Sequence, residues 1–281
     1  MLTGGETVFV TGASSGIGKA TVLRFARAGF NVAATMRNVQ SAPIEFQPFE
    51  HVAALQMDVR DTASIASAVN AAVARFGKIH VLVNNAGFGQ YGLFEAVSPE
   101  KIREQFAVNV FGVMDVTRAL LPHFRANGAG TVINVSSGAG IFTLPMISIY
   151  CASKFALEGF SEAISYELAS QNIAVKIVEP HGGVTGTGFN ERTTQDYAAD
   201  ASLKDYDDFA ARTQAAFGDM VAARATTAAD VAEMIHTAAT DGSNKLRYLI
   251  GDDARGFIKA KHEMNDEHYV AFMRAKFGLK G

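Results

Sequence analysis

The sequence predicts an α/β protein whose single domain, residues 1–281, is built on a doubly wound parallel sheet of seven strands. Short apolar runs alternate with amphipathic helical patterns, as expected for right-handed βαβ crossovers. The runs IHVLV and IAVKIV are apolar almost throughout, which is typical of strands covered on both faces. Hydrophobic residues make up 48% of the chain, enough for one sizeable core, and no internal repeat or Pro-rich linker divides it.

The predicted strands are short apolar segments. In chain order they are Thr7–Val10, Asn31–Thr35, Val52–Met57, Ile79–Val83, Thr131–Val135, Ile173–Val178 and Leu246–Ile250. Helices are predicted over Gly16–Ala28 and Ser64–Phe76, where apolar residues recur at helical spacing. A further helix is expected to begin at Ser98, which a proline follows at the first helical position. Thr227 and Asp230 have the spacing of a capping box, so another helix is predicted there.

One long interval, from about residue 184 to residue 226, breaks the alternation of strands and helices. A connection of this length is uncommon unless it is a lid or binding loop with short helices of its own. We therefore predict a substrate lid here, mobile without ligand and ordered when ligands bind. The alternative is a surface excursion whose aromatic residues pack onto the body. These aromatic residues are Phe189, Tyr197, Tyr206, Phe209 and Phe217.

Composition and charge argue against several classes of protein. A net charge of −3 provides no basic excess for a nucleic-acid partner. No run of about 18 apolar residues occurs, so no membrane span is expected, and the N-terminal residues lack a signal-peptide pattern. Cys151 is the one cysteine, which excludes an intrachain disulfide; we interpret it as a small core residue in a reducing, cytoplasmic protein. The seven histidines are scattered, so no metal site is expected.

A glycine-rich turn, TGASSGIG, lies between the first predicted strand and the first predicted helix. Gly12 allows the chain to fold back, Gly16 lets backbone N–H groups approach a pyrophosphate, and Gly18 allows close packing of helix on strand. Because a helix N-terminus favours anions, the turn predicts a nucleotide site, with an ordinary βα turn as the alternative. The predicted cofactor-binding residues here are Gly12, Ser14, Ser15, Gly16, Ile17 and Gly18.

Residues after the next three strands extend this predicted site. Arg37 stands where an NAD site usually places an acid, so it favours the 2′-phosphate of NADP, unless it is a solvated loop arginine. Asp58, with Val59, is expected beside the adenine ring, and the alternative is a strand-end acid that caps the next helix. Small and amide residues allow close approach of a ligand to the backbone after the fourth strand. They are Asn85, Ala86 and Gly87.

The candidate catalytic residues lie further along the chain. Tyr150 and Lys154 are four residues apart on a predicted helix, so their side chains share one face. A nearby ammonium group favours the phenolate, so we expect Lys154 to lower the pKa of Tyr150 and suit it to acid–base chemistry. Ser137 follows the fifth strand, where its hydroxyl can hydrogen-bond a substrate oxygen. Ser136 is interpreted as a turn residue, and Asn109 is open to interpretation as a surface or core amide.

Together these motifs resemble the short-chain dehydrogenase/reductase family over nearly the whole chain. The matching segments are TGASSGIG, Asp58, NNAG at 84–87, Asn109, SS at 136–137, YCASK at 150–154 and EP at 179–180. The resemblance implies a Rossmann-type fold, an NAD(P) cofactor and a catalytic tetrad of Asn109, Ser137, Tyr150 and Lys154. Within the family, TMRN, FEAVSPEKIREQFAVNVFG and YCASKFALEGFSE look like the branch of 17β-hydroxysteroid- and retinol-dehydrogenase-like enzymes.

The resemblance also implies finer roles. Tyr150 and Lys154 contact the cofactor as well as the substrate, Lys154 binding the nicotinamide ribose, and Asn109 positions a water for proton relay. Near the nicotinamide, Thr185 most nearly matches the family's threonine, with Thr187 as its rival. The other cofactor contacts implied there are Pro180 and Gly183. His181 stands where the family usually has glycine, and either a substrate contact or a local structural role fits it.

The function predicted from these residues is an NADP(H)-dependent oxidoreductase that interconverts a secondary alcohol and a ketone, or an alcohol and an aldehyde. The aromatic residues of the lid favour an apolar small-molecule substrate. The family is usually dimeric or tetrameric, so a homodimer or homotetramer is expected. Two alternatives remain open: a non-catalytic NAD(P)-binding sensor on the same fold, and a reductase of 3-oxoacyl thioesters.

Overall fold

The computed structural model describes residues 2–181, 184–187, 197–198, 200–222, 226–251 and 255–279. It contains the predicted sheet of seven strands, every neighbouring pair of which is parallel. The spatial order is β3-β2-β1-β4-β5-β6-β7. The strands are β1 Thr7–Val10, β2 Asn31–Met36, β3 Val52–Gln56, β4 Val81–Asn84, β5 Gly130–Val135, β6 Ile173–Pro180 and β7 Arg247–Ile250.

The first strand has its predicted bounds, and each of the other six differs at one or both ends by one or two residues. The fourth strand begins at Val81 rather than Ile79, because the backbone N–H of Ile79 donates to His123 Nε2 at 2.9 Å and leaves the ladder. The sixth strand continues to Pro180, because its last residues pair with Leu249 and Ile250 of β7. Tertiary partners, which local patterning does not show, therefore set these ends.

Several helices begin where a side chain caps them. Asp61 accepts hydrogen bonds from the N–H groups of Ala63 and Ser64, so the second helix begins earlier than its apolar pattern indicates. Ser98 caps the third helix, and the capping box between Thr227 and Asp230 is present. The described helices are α1 Gly16–Arg27, α2 Thr62–Phe76, α3 Pro99–Phe106, α4 Val113–Asn127, α5 Ser148–Ala169, α6 Asp207–Ala222, α7 Ala228–Thr240, α8 Arg255–Glu263 and α9 Asp266–Lys276.

Apolar clusters cover both faces of the sheet, as a doubly wound arrangement requires. On one face, Phe25 of α1 and Ile235 of α7 pack among residues that include Val8 of β1. On the other face, Phe9 of the same strand packs in a cluster that includes Leu120 of α4. Successive residues of β1 thus belong to opposite cores, and strand order reverses direction between β1 and β4. A ligand crevice is expected at the carboxyl ends of the strands beside that reversal.

Part of the predicted lid is described. It contains a short 3₁₀ turn, Lys204–Tyr206, followed by α6. Bridges tie this interval to the body at Gly92 with Ala198 and at Thr185 with Thr227. The rest of the lid lies outside the described residues, and Phe189 belongs to that part.

Candidate active site

A cleft of about 470 Å³ crosses the carboxyl ends of β1 to β6. This volume is in the range of small-molecule and cofactor sites. Most of the predicted site residues line it. They are Gly12, Ser14, Ser15, Gly16, Ile17, Arg37, Asp58, Val59, Asn85, Ala86, Gly87, Ser137, Tyr150, Lys154 and Pro180.

The glycine-rich turn has a geometry that only glycine satisfies. Gly12 has φ +67°, and a Cβ there would lie 2.8 Å from the Cα of Ala86. Gly18 lies beneath the cleft, and a Cβ on it would stand 2.1 Å from the carbonyl oxygen of Gly12. The side chain of Ser15, at the N-cap of α1, makes no capping hydrogen bond, and the first turn of α1 holds no acid. The N-terminal N–H groups of α1 therefore fit a pyrophosphate.

The fourth strand's exit is fastened to this turn by hydrogen bonds. Thr11 Oγ1 accepts from the N–H groups of Asn85 and Ala86, at 3.0 and 2.9 Å. The amide of Asn85 donates in return to the carbonyls of Thr11 and Gly12, at 3.0 and 3.1 Å. The NNAG motif thus fixes the floor of the cleft through its side chains as well as through close backbone approach.

The end of the cleft at β2 and β3 is charged and open to solvent. The Asp58 carboxylate accepts two hydrogen bonds from Arg60. Nη2 of the arginine donates to Oδ2 at 2.7 Å, and its Nε donates to Oδ1 at 3.1 Å. These bonds, together with the charge of Arg37, hold the pKa of Asp58 below its usual value. Arg37 itself is exposed at the end of β2. Arg60 was not predicted, because an arginine two residues from an acid carries no distinctive signal.

Tyr150 and Ser137 meet at the opposite end. The Tyr150 hydroxyl is hydrogen-bonded with the Ser137 hydroxyl. Burial raises the pKa of Tyr150 to about 12, and the Ser137 hydrogen bond opposes this only in part. The expected lowering by Lys154 is therefore wrong for the protein by itself. The Lys154 ammonium lies 5.8 Å from the centre of the tyrosine ring, and desolvation sets the rise in the Tyr150 pKa.

A backbone carbonyl group holds the Lys154 side chain in place. Its Nζ donates to the carbonyl oxygen of Val135 at 2.9 Å, and the residue is 6% exposed. Burial lowers the pKa of Lys154 to about 8, while the carboxylate of Glu158, one helical turn away, opposes that fall. Its pKa thus lies well below that of an ordinary lysine, as is common for groups at functional sites.

Asn109 supports the site from behind and does not line the cleft. It lies in a π-helical segment, Ala107–Gly112, between α3 and α4. Its Oδ1 accepts from the N–H of Phe88 at 3.1 Å, and its Nδ2 donates to the carbonyl of Phe88 at 2.9 Å and to Ser153 Oγ at 3.2 Å. The side chain therefore fixes the loop after β4 on the helix that carries Tyr150. π-bulges are frequent at functional sites, but the sequence gives no sign of this one.

The two candidate threonines for the predicted nicotinamide site, Thr185 and Thr187, lie in different surroundings. Thr187 lines the cleft, and its Cβ would lie 3.3 Å from a Cβ on Gly16. Thr185 instead donates from its hydroxyl to the carbonyl of Thr226. The bridge between Thr185 and Thr227 commits it to the edge of α7, which a motif match does not reveal. Gly183 lies outside the described residues.

Apolar side chains form the wall beside Tyr150 and Ser137. Phe142, Leu144 and Ile147 come from the loop between β5 and α5, and Phe217 of α6 lines the same cleft. His181 is buried in this wall with its ring stacked on Phe142 at 6.2 Å. Such a surface suits an apolar substrate with one polar group at the hydroxyls. Cys151 is buried, and burial raises the pKa of its thiol.

Comparison with known proteins assigns the family. The family model for short chain dehydrogenases matches residues 6–198. An uncharacterized oxidoreductase of Schizosaccharomyces pombe is 36% identical over 248 residues, which are 87% of this chain and 100% of the yeast protein. Human 17-beta-hydroxysteroid dehydrogenase type 1 is 34% identical over 195 residues, 66% of this chain and 58% of the human one. The chain therefore belongs to the short-chain dehydrogenase family.

Solved structures agree. A short-chain dehydrogenase from Streptomyces avermitilis superposes with a TM-score of 0.81 at 30% identity, covering 97% of this chain and 98% of that one. A Brucella melitensis 3-ketoacyl-(acyl-carrier-protein) reductase complexed with NADH, at 27% identity, has a TM-score of 0.72 and covers 88% and 98% of the two chains. A metagenomic short-chain oxidoreductase in complex with NADP, at 25% identity, has a TM-score of 0.68 and covers 88% and 97%. The protein is an NAD(P)-dependent dehydrogenase/reductase.

Two further observations concern metal binding and membrane-spanning helices. Within the described ranges, no three His, Cys, Asp or Glu side chains group as a metal would need. Among the helices that the structure describes, none is both long and apolar enough to cross a bilayer.

Proposed function

We propose that the protein interconverts an alcohol and a carbonyl compound on an apolar substrate, with NADP(H) as cofactor and Tyr150 as the acid–base group. The observation that carries this proposal is the hydrogen-bonded pair of Tyr150 and Ser137 at the apolar end of the cleft. A sensor that only binds a dinucleotide has no need for two paired hydroxyls facing an apolar wall.

The roles follow from the positions of the side chains. In the reduction, Tyr150 donates its proton to the carbonyl oxygen, which Ser137 polarises through a hydrogen bond. Because burial keeps the phenol protonated, Tyr150 is ready to act as this acid at neutral pH. Lys154, fixed by the carbonyl of Val135, supports the developing phenolate and binds the nicotinamide ribose. Bound NADP(H) supplies or accepts the hydride, and the chain's own residues hold and orient it.

The preference for NADP(H) over NAD(H) rests on Arg37. Its guanidinium is exposed at the end of β2, and no acid follows that strand directly. Its charge acts on Asp58, so the two lie close enough to shape one binding region. A guanidinium can pair with a 2′-phosphate through two hydrogen bonds, which the ribose hydroxyl of NAD(H) does not offer.

We further propose that residues 184–226 act as the substrate lid. Support comes from Phe217, which lines the cleft and packs edge-on against Tyr91, with ring centres 5.6 Å apart. Hydrogen exchange of α6 should slow when NADPH and a substrate are added together. Equal protection of α6 with and without ligands would contradict the lid.

A homo-oligomer is proposed from the exposed aromatic side chains on one helix and the segment beside it. Phe155 and Tyr166, three turns apart on α5, are 40% and 71% exposed, and Phe111 of the adjoining π-helical segment is 57% exposed. A second copy of the chain would bury such a face. Light scattering should therefore give a multiple of the 29.9 kDa chain mass, and Phe155→Ser with Tyr166→Ser should reduce it.

The test of the main proposal is a screen of NADPH oxidation. The panel holds ring ketones, long-chain 3-keto compounds, simple aldehydes and charged keto acids, each also assayed with NADH. We expect turnover with apolar ketones and little with charged acids. NADPH bound tightly in calorimetry, but oxidised with no carbonyl compound, would instead support the sensor.

A further inference from the structure

A cluster of charged side chains, in which two acids are buried, lies behind Lys154. Glu158 follows it by one turn of α5 and is 7% exposed, and Glu179 of β6 is 2% exposed. Arg247, at the start of β7, joins the two acids: its Nε lies 3.3 Å from an oxygen of Glu158 and 3.4 Å from an oxygen of Glu179. Its Nη2 reaches the more exposed Glu162 at 2.5 Å. Buried carboxylates in such a position are costly to retain unless they have partners.

The backbone leaves room for the Glu158 side chain. A Cβ at Gly140 would lie 2.9 Å from Cγ of Glu158 and 3.1 Å from the hydroxyl oxygen of Ser136. Glycine at this position therefore allows the carboxylate to lie beside the end of β5, the strand whose Val135 carbonyl accepts from Lys154. The acid and the lysine are thus brought to the same strand end from one helix.

Other charged and titratable groups surround this cluster on every element packed against it. They are the phenol of Tyr150, the thiol of Cys151 and the carboxylate of Glu162 on α5, Glu179 on β6, His181 directly after β6, and Arg247 on β7. From α3, Lys101 and Glu104 reach the cleft. Among these, the acid that acts directly on Lys154 is Glu158.

The two buried acids differ in the groups that offset the cost of their burial. Burial raises the pKa of both, and the charge of Glu158 adds to the rise at Glu179, whose pKa reaches about 8. The Ser136 hydroxyl, Arg247 and Lys154 all lower the pKa of Glu158, while only Arg247 does so for Glu179. A negative charge on the pair is therefore favoured on Glu158, one helical turn from the lysine.

We propose that Glu158 is a positioning residue, whose carboxylate, anchored by Arg247, keeps the buried Lys154 ammonium protonated and in place for catalysis. The catalytic consequence rests on the proposed function, in which Lys154 supports Tyr150. The electrostatic link between Glu158 and Lys154 stands without it. Neutral Lys154 would neither stabilise a phenolate nor bind a ribose as an ammonium, so the acid sets the pH range in which the site works.

Glu158→Gln removes the charge and retains the shape. Without the Glu158 carboxylate, we expect Arg247 to pair with Glu179. The negative charge then lies on β6 instead of α5, away from Lys154. The titration of Lys154 can be followed by NMR in protein isotope-labelled at the lysine ε-carbon, with Lys154→Arg to assign the signal. We expect the Lys154 midpoint to fall by about one pH unit in Glu158→Gln, since an opposite charge nearby favours the charged form by about that much or more.

Matched controls separate this link from a general effect of charge. Glu162→Gln removes an acid from the same helix and the same arginine, and Glu179→Gln removes the other buried acid. We expect each to leave the Lys154 midpoint nearly unchanged. If Glu158→Gln does not fold, Glu158→Asp replaces it: its carboxylate, drawn back by one methylene, should lower the midpoint by a smaller amount and retain a normal pH profile of turnover.

The outcomes decide both claims separately. An unchanged Lys154 midpoint in the Glu158 variants, or an equal fall in Glu162→Gln, would overturn the proposal. A fall confined to the Glu158 variants supports it, and the pH profile of alcohol oxidation should then move in Glu158→Gln but not in the controls. Because NMR needs no turnover, a shifted midpoint in a protein that reduces no carbonyl compound would refute the proposed function and leave the positioning role standing.

Discussion

The two ends of the cleft differ in how far their charged side chains are exposed to water. At the end formed by β2 and β3, Arg37, Asp58 and Arg60 are partly or fully exposed, and Asp58 pairs with Arg60 in reach of water. At the other end, Lys154 is 6% exposed and burial moves the pKa values of Tyr150 and Lys154 away from their ordinary ones. Exposed charges can recognise an anion with little effect on their own protonation, whereas buried ones acquire new proton affinities.

This difference indicates where substitutions should matter most. Removing a group at the buried end changes the chemistry, because the surrounding groups are tuned to one another. At the exposed end the loss is confined to one contact. The predictions below test that contrast.

The largest effect is expected for Tyr150→Phe. The substitution removes one oxygen and little volume, so NADPH affinity should persist while turnover falls by about 10²–10⁴-fold, the usual contribution of a positioned acid–base group. Steady-state rates and calorimetry measure the two quantities. Tyr166→Phe, on the same helix but 71% exposed, is the control and should leave both unchanged. Near-normal turnover in Tyr150→Phe would refute the mechanism.

Arg37→Ala tests the exposed end. Loss of hydrogen bonds to a charged 2′-phosphate should weaken NADPH binding by about 10–100-fold, with NADH binding nearly unchanged. Isothermal titration of both cofactors gives the ratio. The matched control is Arg27→Ala, at the exposed end of α1. Equal affinity of the unmodified protein for the two cofactors would show that Arg37 does not discriminate.

Glu179→Gln tests whether the buried acid makes stability depend on pH. Because the folded pKa is raised from 4.5 to about 8, the native protein retains a proton that the unfolded chain loses, and stability falls as pH rises through that window. The glutamine variant lacks this loss. Relative to the unmodified protein, it should gain about 3 kcal/mol in unfolding free energy between pH 5 and pH 8, at about 1.4 kcal/mol for each pH unit over which only the folded state holds the proton. Urea unfolding at the two values, with Glu162→Gln as control, measures it.

Phe217→Ala should have the smallest effect, because it removes only apolar contact. The KM for an apolar ketone should rise by about three- to tenfold, consistent with partial loss of aromatic burial, while kcat changes less. Phe209→Ala, on the same helix and not among the cleft residues, is the comparison. A fall in kcat matching that of Tyr150→Phe would mean that Phe217 positions the reacting groups.

Local patterns in the sequence were enough to predict seven parallel strands, the capping box at Thr227 and the glycine-rich turn. These features depend on neighbours in the chain: the alternation of apolar runs, the hydroxyl three residues before an acid, the absence of a Cβ at Gly12. The resemblance of the motifs to a known family identified Ser137, Tyr150 and Lys154 as catalytic candidates. All three residues line the cleft.

Other properties were decided by contacts between distant parts of the chain. Thr185 pairs with Thr226 and Thr227, so that Thr187 rather than Thr185 lines the cleft. Asn109 lies behind the cleft because its side chain hydrogen-bonds with Phe88 and Ser153. The pKa of Tyr150 rose where a lysine four residues away predicted a fall. A pKa depends on how far all the surrounding elements exclude water from the group. The protonation of Glu158 and Glu179 depends on this desolvation in the same way. Sequence spacing indicates which groups are neighbours on a helix, whereas desolvation is fixed only when the sheet, helices and loops close around them.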